Sequence, residues 1–277
     1  MKLPRPPDWI VYLGAVLALV AVAAGEQERA DAPPAPPPIE DADSTAALTG
    51  ASSLKPSMVK TLPARAQESI SGTAFSVSDT GVWLTARHVV EGCHTAAVMV
   101  ALGRGVAAHV ISDKTTDVAV LTTNGGAPPL PLALGRTLAV GQLAYHPGFP
   151  QGAPGEAASR LLGHDTLRSP GRGTAPEKVL AWAQVGRTDG LKGSLAGLSG
   201  APVLDPAGRV VGVTLAESPR RGRIYSAPPE AIRAALALAR QKASGFARGQ
   251  TITTDNYGRA ADDLRRDLRV AQVVCIS

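Results

Sequence analysis

The chain has 277 residues, 44% of them hydrophobic, enough for one sizeable core or for two fused barrels. Only 4% are aromatic, while glycine (29) and proline (23) are frequent, which suits many short strands joined by turns and argues against a helical bundle. A formal net charge of +5 is too slight over this length to support nucleic-acid binding.

Lys2 and Arg5 precede an uncharged run over residues 9–24, about 24 Å long as a helix at about 1.5 Å per residue. Its length falls between a signal-peptide core and a bilayer-spanning helix. Trp9 and Tyr12 suit an uncleaved anchor, and Ala21-Val22-Ala23 suits a cleavage site, so residues 1–25 read as a signal anchor or signal peptide. Either way the basic end stays inside and the remainder is exported, with a bilayer as partner of residues 9–24 if the segment is retained. The expected place is a bacterial inner membrane with the folded part in the periplasm, or a secreted or periplasmic form after cleavage. Residues 26–61 are a linker rich in proline and alanine, including Ala32-Pro33-Pro34-Ala35-Pro36-Pro37-Pro38. Such a stretch cannot bury enough apolar surface to offset its ordering entropy.

The folded part begins near residue 62. Residues 71–77 and 82–85 read as a strand pair around the turn Asp79-Thr80-Gly81, and 97–100, 106–111 and 118–121 as further strands. Asn124-Gly125-Gly126-Ala127-Pro128-Pro129 breaks the pattern, placing a junction near 122–138. A second series follows at 139–145, 179–184, 201–204 and 210–215. This spacing predicts barrels or a sandwich, not βαβ units. Residues 229–243 and 260–268 read as helices and 270–276 as one last strand, so 62–240 is the expected two-barrel domain and 241–277 an extension packed on it.

Three segments carry chemistry. Ser199 stands between glycines in Gly197-Leu198-Ser199-Gly200-Ala201-Pro202, the pattern of a nucleophile on a tight turn. His88 lies just after a strand, and Asp117 opens the apolar strand 118–121. A serine hydroxyl needs a base within hydrogen-bond reach, and the base needs an orienting carboxylate. All three residues fall at strand ends, where distant segments converge. Asp113 is the rival carboxylate, four residues before Asp117. The N–H groups of Gly197 and Ser199 are the candidate oxyanion donors.

With Ser71-Gly72-Thr73-Ala74-Phe75, Thr85-Ala86-Arg87-His88-Val89-Val90, Thr116-Asp117-Val118-Ala119-Val120-Leu121, Gly148-Phe149-Pro150-Gln151-Gly152 and Val210-Val211-Gly212-Val213, these segments stand in one order. In that order the chain resembles a chymotrypsin-fold, trypsin-like serine protease, nearest to the bacterial Deg/HtrA-type peptidases. The resemblance runs from Ser71 to about Ala234. It implies an all-β fold of two antiparallel six-stranded barrels with the site in the cleft between them. It also implies hydrolysis of peptide bonds through an acyl-enzyme by His88, Asp117 and Ser199, acting on exported or misfolded polypeptides. Leu198, Thr214, Leu215 and Tyr225 are the implied substrate-binding residues, and the implied pocket walls are 193–196, 213–216 and 225–227. No acidic residue stands where Lys or Arg would be selected, so small apolar side chains are expected.

Two positions depart from the family pattern. Leu198 replaces the usual Asn or Asp before the nucleophile, which excludes activation by an ion pair with a new N-terminus. Ala201 replaces a glycine. They leave open an alternative: a protease-like binding or sensor module that keeps the fold with little turnover. Too few residues follow Ala234 for a PDZ-like module, so none is expected.

Cys93 and Cys275, an even count in an exported chain, predict one disulfide tying the segment after His88 to the last strand. By loop-closure entropy such a bond contributes about 5 kcal/mol. His94, His109, His146 and His164 lack metal-ligand spacing and read as structural or solvent-facing, so no metal or cofactor is expected. Arg220, Arg221 and Arg223 read as a solvated turn, and Asp262 with Arg266 as an i,i+4 pair on an amphipathic helix.

Overall fold

The structure is a computed structural model that describes residues 60–61, 71–167, 176–244 and 248–276. The expected anchor at 1–25 and nearly all of the linker lie outside these residues. Among the described residues no helix is long and apolar enough to cross a membrane.

The first half of the chain supplies β1 (Lys60–Thr61), β2 (Ser71–Ser78), β3 (Val82–Ala86), β4 (Thr95–Ala101), β5 (Arg104–Ile111) and β6 (Val118–Thr122), of which β2–β6 belong to the first barrel, with the short helix α1 (Arg87–Val90) after β3. The second barrel comprises β7 (Leu143–Gly148), β8 (Gly155–Leu167), β9 (Glu177–Arg187), β10 (Pro202–Leu204), β11 (Val210–Ser218) and β12 (Arg223–Ala227). Helices α2 (Pro229–Leu238) and α3 (Tyr257–Arg266) and strand β13 (Val270–Ile276) end the chain. The second barrel closes in the order β10-β11-β12-β9-β8-β7. The first closes through β5 and β6, its remaining order being β5-β4-β13-β2-β3-β6, with β1 on the edge of β5. Both are six-stranded and antiparallel.

The place of β13 goes beyond an extension packed on the outside. It pairs with β2 (Val270 opposite Phe75) and with β4 (Val273 opposite Val98) and so completes the first barrel. Its residues read Val-Ala-Gln-Val-Val-Cys-Ile, nearly all buried, as a strand covered on both faces requires. Cys275 is disulfide-bonded to Cys93, 182 residues away, which fixes this last strand beside the segment after α1.

Element boundaries differ from the sequence reading for identifiable reasons. The strand expected at 139–145 starts only at Leu143, because Gly141 has a φ of +83° and residues 139–142 make a turn. β8 went unread: its outer half alternates with exposed polar residues and runs into Gly163. The helix expected over 229–243 stops at Leu238. Gln241 donates to the Leu236 carbonyl and Arg240, with a φ of +52°, to that of Ala237. α3 ends in the same way, with Arg269 donating to Leu264 and Leu268 to Arg265. Both are helix-stop motifs that place a left-handed residue after the cap, here without the usual glycine that would mark them in the sequence.

α3 is anchored on the second barrel by Tyr257 stacked on Tyr145, ring centroids 5.6 Å apart, and by Arg265. The expected Asp262–Arg266 pair is not formed. Arg265 pairs with Asp262, and Arg266 with Asp263, one turn position earlier. Arg265 also reaches Glu156 Oε2 at 2.9 Å and the carbonyls of Gly148 and Gly155 at 3.3 and 3.1 Å. Burial raises the Glu156 pKa above the usual carboxylate range, with Arg265 pulling in the opposite direction. Arg265→Met therefore strands a buried carboxyl, and a loss of about 3–5 kcal/mol in urea unfolding is expected. Adding Glu156→Leu to that variant recovers most of the loss; an undiminished deficit in the double variant contradicts this account.

His146 is fully buried in the second barrel, against the edge of Trp182. Its Nδ1 pairs with Thr214 Oγ1 at 2.9 Å and its Nε2 with Ser159 Oγ at 2.7 Å. Burial pushes its pKa down from 6.5 to about 3. Between those values the unfolded chain binds a proton that the folded chain refuses, so stability falls as pH falls through 6.5 toward 3. From pH 7 to pH 5 this group accounts for about 2 kcal/mol of that loss. His146→Gln removes it: its unfolding free energy changes less over this interval than the wild type's by that amount. Parallel profiles for the two proteins contradict the assignment.

Candidate active site

Helix α1 carries His88 at the end of β3, and Asp117 immediately precedes β6, which pairs with β3. That pairing sets the two residues side by side. His88 Nδ1 lies 2.7 Å from Asp117 Oδ2, and the His88 backbone N–H donates to Asp117 Oδ1 at 2.9 Å. A carboxylate only accepts, so Nδ1 carries the proton and Nε2 is left as the basic nitrogen. Asp117 is only 6% exposed. Asp113 is half-buried and accepts from Thr115 N–H and Oγ1–H, bonds that lower its pKa against an opposing desolvation. The structure thus places Asp117, not Asp113, on His88.

Ser199 sits on the turn before β10. The turn is pressed against β2 and the start of α1. Thr73 N–H donates to the Ser199 carbonyl at 2.8 Å, and a Cβ placed on Gly72 would stand 2.7 Å from Val89 and 2.9 Å from the Ser199 oxygen. Gly200, with a φ of +89°, has no room for a Cβ either, which would collide with the Thr73 carbonyl and Thr85 Oγ1. Ser199 Oγ donates to the Leu215 carbonyl at 3.2 Å. Along residues 197–201, Leu198 N–H donates to Leu195, Gly200 N–H to Thr214 and Ala201 N–H to Leu198. The N–H groups of Gly197 and Ser199 have no acceptor among the described residues.

The two departures from the family pattern are accommodated by packing. Leu198 is 2% exposed and lies with Ala201 in the core of the second barrel, beside Ala144, Val203 and Val211. Full burial of a leucine contributes about 1.5–3 kcal/mol, so the turn is anchored by an apolar side chain. This corrects the reading of Leu198 as a substrate contact, because its side chain faces inward. Thr214 (3% exposed), Leu215 (2%) and Tyr225 (9%) are likewise buried, and Thr214 Oγ1 is engaged by His146. What β11 offers the cleft at these positions is backbone, including the Leu215 carbonyl.

Three residues close to the site were not singled out from the sequence. Glu177, at the start of β9, accepts the Asp117 N–H at 2.8 Å and so ties the second barrel to the Asp117 turn. Burial raises its pKa, and the nearby Asp117 charge adds to that, against the Asp117 N–H bond, Arg87 and His88. Glu217, one residue beyond the expected pocket wall, accepts from Ser194 Oγ–H and Leu195 N–H and joins the two walls. Gln151 lies in Gly148-Phe149-Pro150-Gln151-Gly152, one of the segments that carry the family resemblance. No local pattern marks any of the three, since each partner is at least 22 residues away. Arg220 and Arg221 are exposed in a turn, as expected of a solvated segment.

The trypsin-like peptidase domain model matches residues 72–213. HhoA of Synechocystis sp., named as a serine protease, is 32% identical over 150 residues, covering 52% of this chain and 36% of that protein. The chain therefore spans little more than a third of that relative's length. Among solved structures, the active form of the Rv3671c protease from M. tuberculosis superposes with a TM-score of 0.52 at 21% identity, over 92% of this chain and 97% of that one. An inactive mutant form of the same protein gives 0.50 at 20% identity, over 77% and 100%. These structural likenesses speak to the fold, two barrels with the cleft between them. With half of its length matched by the domain, the chain belongs to the trypsin-like peptidase family.

Proposed function

We propose that the chain is a serine endopeptidase in which Ser199 attacks the scissile carbonyl and His88 Nε2 takes the Ser199 proton. Asp117 holds the imidazole in its tautomer and supports the imidazolium, and the N–H groups of Gly197 and Ser199 receive the oxyanion. His88 then protonates the leaving amine, and water resolves the acyl-enzyme by the same steps in reverse. The observation that carries this reading is the pattern at the turn: its neighbours' N–H groups are all engaged within the protein, while those of Gly197 and Ser199 have no acceptor among the described residues. For attack, the Ser199 hydroxyl must leave the Leu215 carbonyl and take His88 Nε2 as its acceptor. The substrates we propose are exported or misfolded polypeptides, cleaved after small apolar side chains. The disulfide suits an oxidising compartment such as the periplasm.

A second reading, a binding or sensor module with little turnover, draws on the Ser199 hydroxyl lying on Leu215 and not on His88. Incubation of the full chain with an unfolded protein such as casein separates the two. Internal cleavage, stopped by a serine-directed reagent, supports the peptidase; retention of intact casein without fragments supports the module.

A further inference from the structure

The loop 192–197 must hold its shape for the Gly197 N–H to face an oxyanion, and of its side chains only that of Leu195 is buried. Lys192, Gly193, Ser194 and Ala196 are exposed. Leu198 removes the ion pair that could order it by charge. The structure assigns this task to Gln151, a positioning residue that clamps the loop through three alternate carbonyls; the inference rests on the peptidase reading above.

Gln151 N–H donates to the Ala196 carbonyl at 2.5 Å. In a trans peptide the C=O and the following N–H point in opposite directions, so drawing the Ala196 oxygen toward Gln151 sends the Gly197 N–H the other way. The side-chain Nε2 donates to the carbonyls of Lys192 and Ser194, each at 2.7 Å. Both amide hydrogens are thereby used, and because carbonyls only accept, the orientation of the amide is settled by its partners. Gln151 adopts φ 55° and ψ 24°, a left-handed conformation that a glutamine enters only when its surroundings require it.

The clamp has a footing. Thr73 Oγ1 accepts from Phe149 N–H at 3.1 Å and donates to the Gly197 carbonyl at 2.8 Å, joining the Gln151 turn to the loop a second time. Arg265 holds the carbonyls of Gly148 and Gly155 on either side of that turn. From the other face, Glu217 binds Ser194 Oγ and Leu195 N–H. Loss of the Gln151 side chain leaves the Glu217 bonds in place but frees the Lys192 and Ser194 carbonyls.

The test uses the full chain and two variants. Gln151→Gly suits the left-handed backbone and keeps the N–H to Ala196 while removing the side-chain clamp. Gln151→Glu keeps the length and removes both donors. Each is measured for kcat and KM on a peptide substrate, for inhibition by a peptide boronate whose tetrahedral adduct occupies the oxyanion position, and for its melting temperature. Gln151→Gly is expected to lower kcat about 10- to 100-fold with KM nearly unchanged, and to weaken the boronate by the same factor, at an unchanged melting temperature. Gln151→Glu loses at least as much. A Gln151→Gly protein within about twofold of wild type in kcat, or a kcat loss without weakened boronate binding, overturns the clamp while leaving the peptidase standing. A wild-type chain that neither cleaves nor binds boronate overturns both.

Discussion

Replacing Ser199 by alanine is expected to lower peptide-bond hydrolysis by about 10⁶-fold and to leave the fold unchanged. The second half of that expectation follows from what holds the turn. Its backbone is fixed by Thr73 N–H on the Ser199 carbonyl, by Gly200 N–H on Thr214 and by Thr214 N–H on Ala201, none of which involves the hydroxyl. The hydroxyl makes a single 3.2 Å bond to Leu215, worth no more than about 1 kcal/mol net. The first half follows because the acyl-enzyme proposed above forms on the Ser199 hydroxyl, which alanine lacks. Steady-state rates on one peptide, with melting temperatures alongside, measure both. A variant that keeps more than about a tenth of the wild-type rate contradicts the assignment of Ser199.

Asp117→Asn is expected to lower kcat by about 10⁴-fold with a small change in KM. Asp117 accepts from the His88 backbone N–H and from Nδ1. An asparagine has one oxygen and one NH₂ to offer. The backbone N–H, fixed at the start of α1, claims the oxygen. The NH₂ then faces Nδ1, which must become an acceptor, so the ring proton moves to Nε2. The imidazole is held in place in the wrong tautomer and cannot take the Ser199 proton. Asp113→Asn provides the contrast: its carboxylate is occupied by Thr115 in an exposed turn, and activity within about twofold of wild type is expected. Comparable losses in the two variants contradict the pairing.

Much of this site was legible because its signals are local. His88, Asp117 and the glycine-flanked Ser199 each stand in a short segment whose strand or turn can be read from alternation and from glycine positions. The pairing of β3 with β6 then does the rest, bringing His88 to Asp117 across 29 residues. The two-barrel fold was legible for the same reason. The topology of the first barrel was not, because β13 reads as a buried strand without saying which neighbours bury it; only its pairing with β2 and β4 does so. The cysteines carried part of that information, since Cys93 and Cys275 had to meet.

What stayed hidden is the support around the site. Glu177 and Gln151 act on backbone groups of remote loops, and Glu217 on one backbone N–H and a serine hydroxyl; a side chain that bonds backbone leaves no complementary residue type to find. Leu198 differs in the opposite sense. The resemblance implies contact with substrate, yet the sharp turn that presents Ser199 points its neighbour into the second barrel. Thr214 repeats the lesson, its hydroxyl turned inward to His146. At such positions the sequence identifies which segments line a cleft, while strand direction decides which atoms face it.

The most direct measurement is covalent. The full chain is treated with a fluorophosphonate and mapped by peptide mass spectrometry, beside Ser199→Ala and Asp117→Asn. One adduct per chain is expected on Ser199, none in Ser199→Ala, and slow formation in Asp117→Asn. An adduct on another residue, equal labelling of wild type and Ser199→Ala, or no labelling of a folded wild-type chain contradicts it.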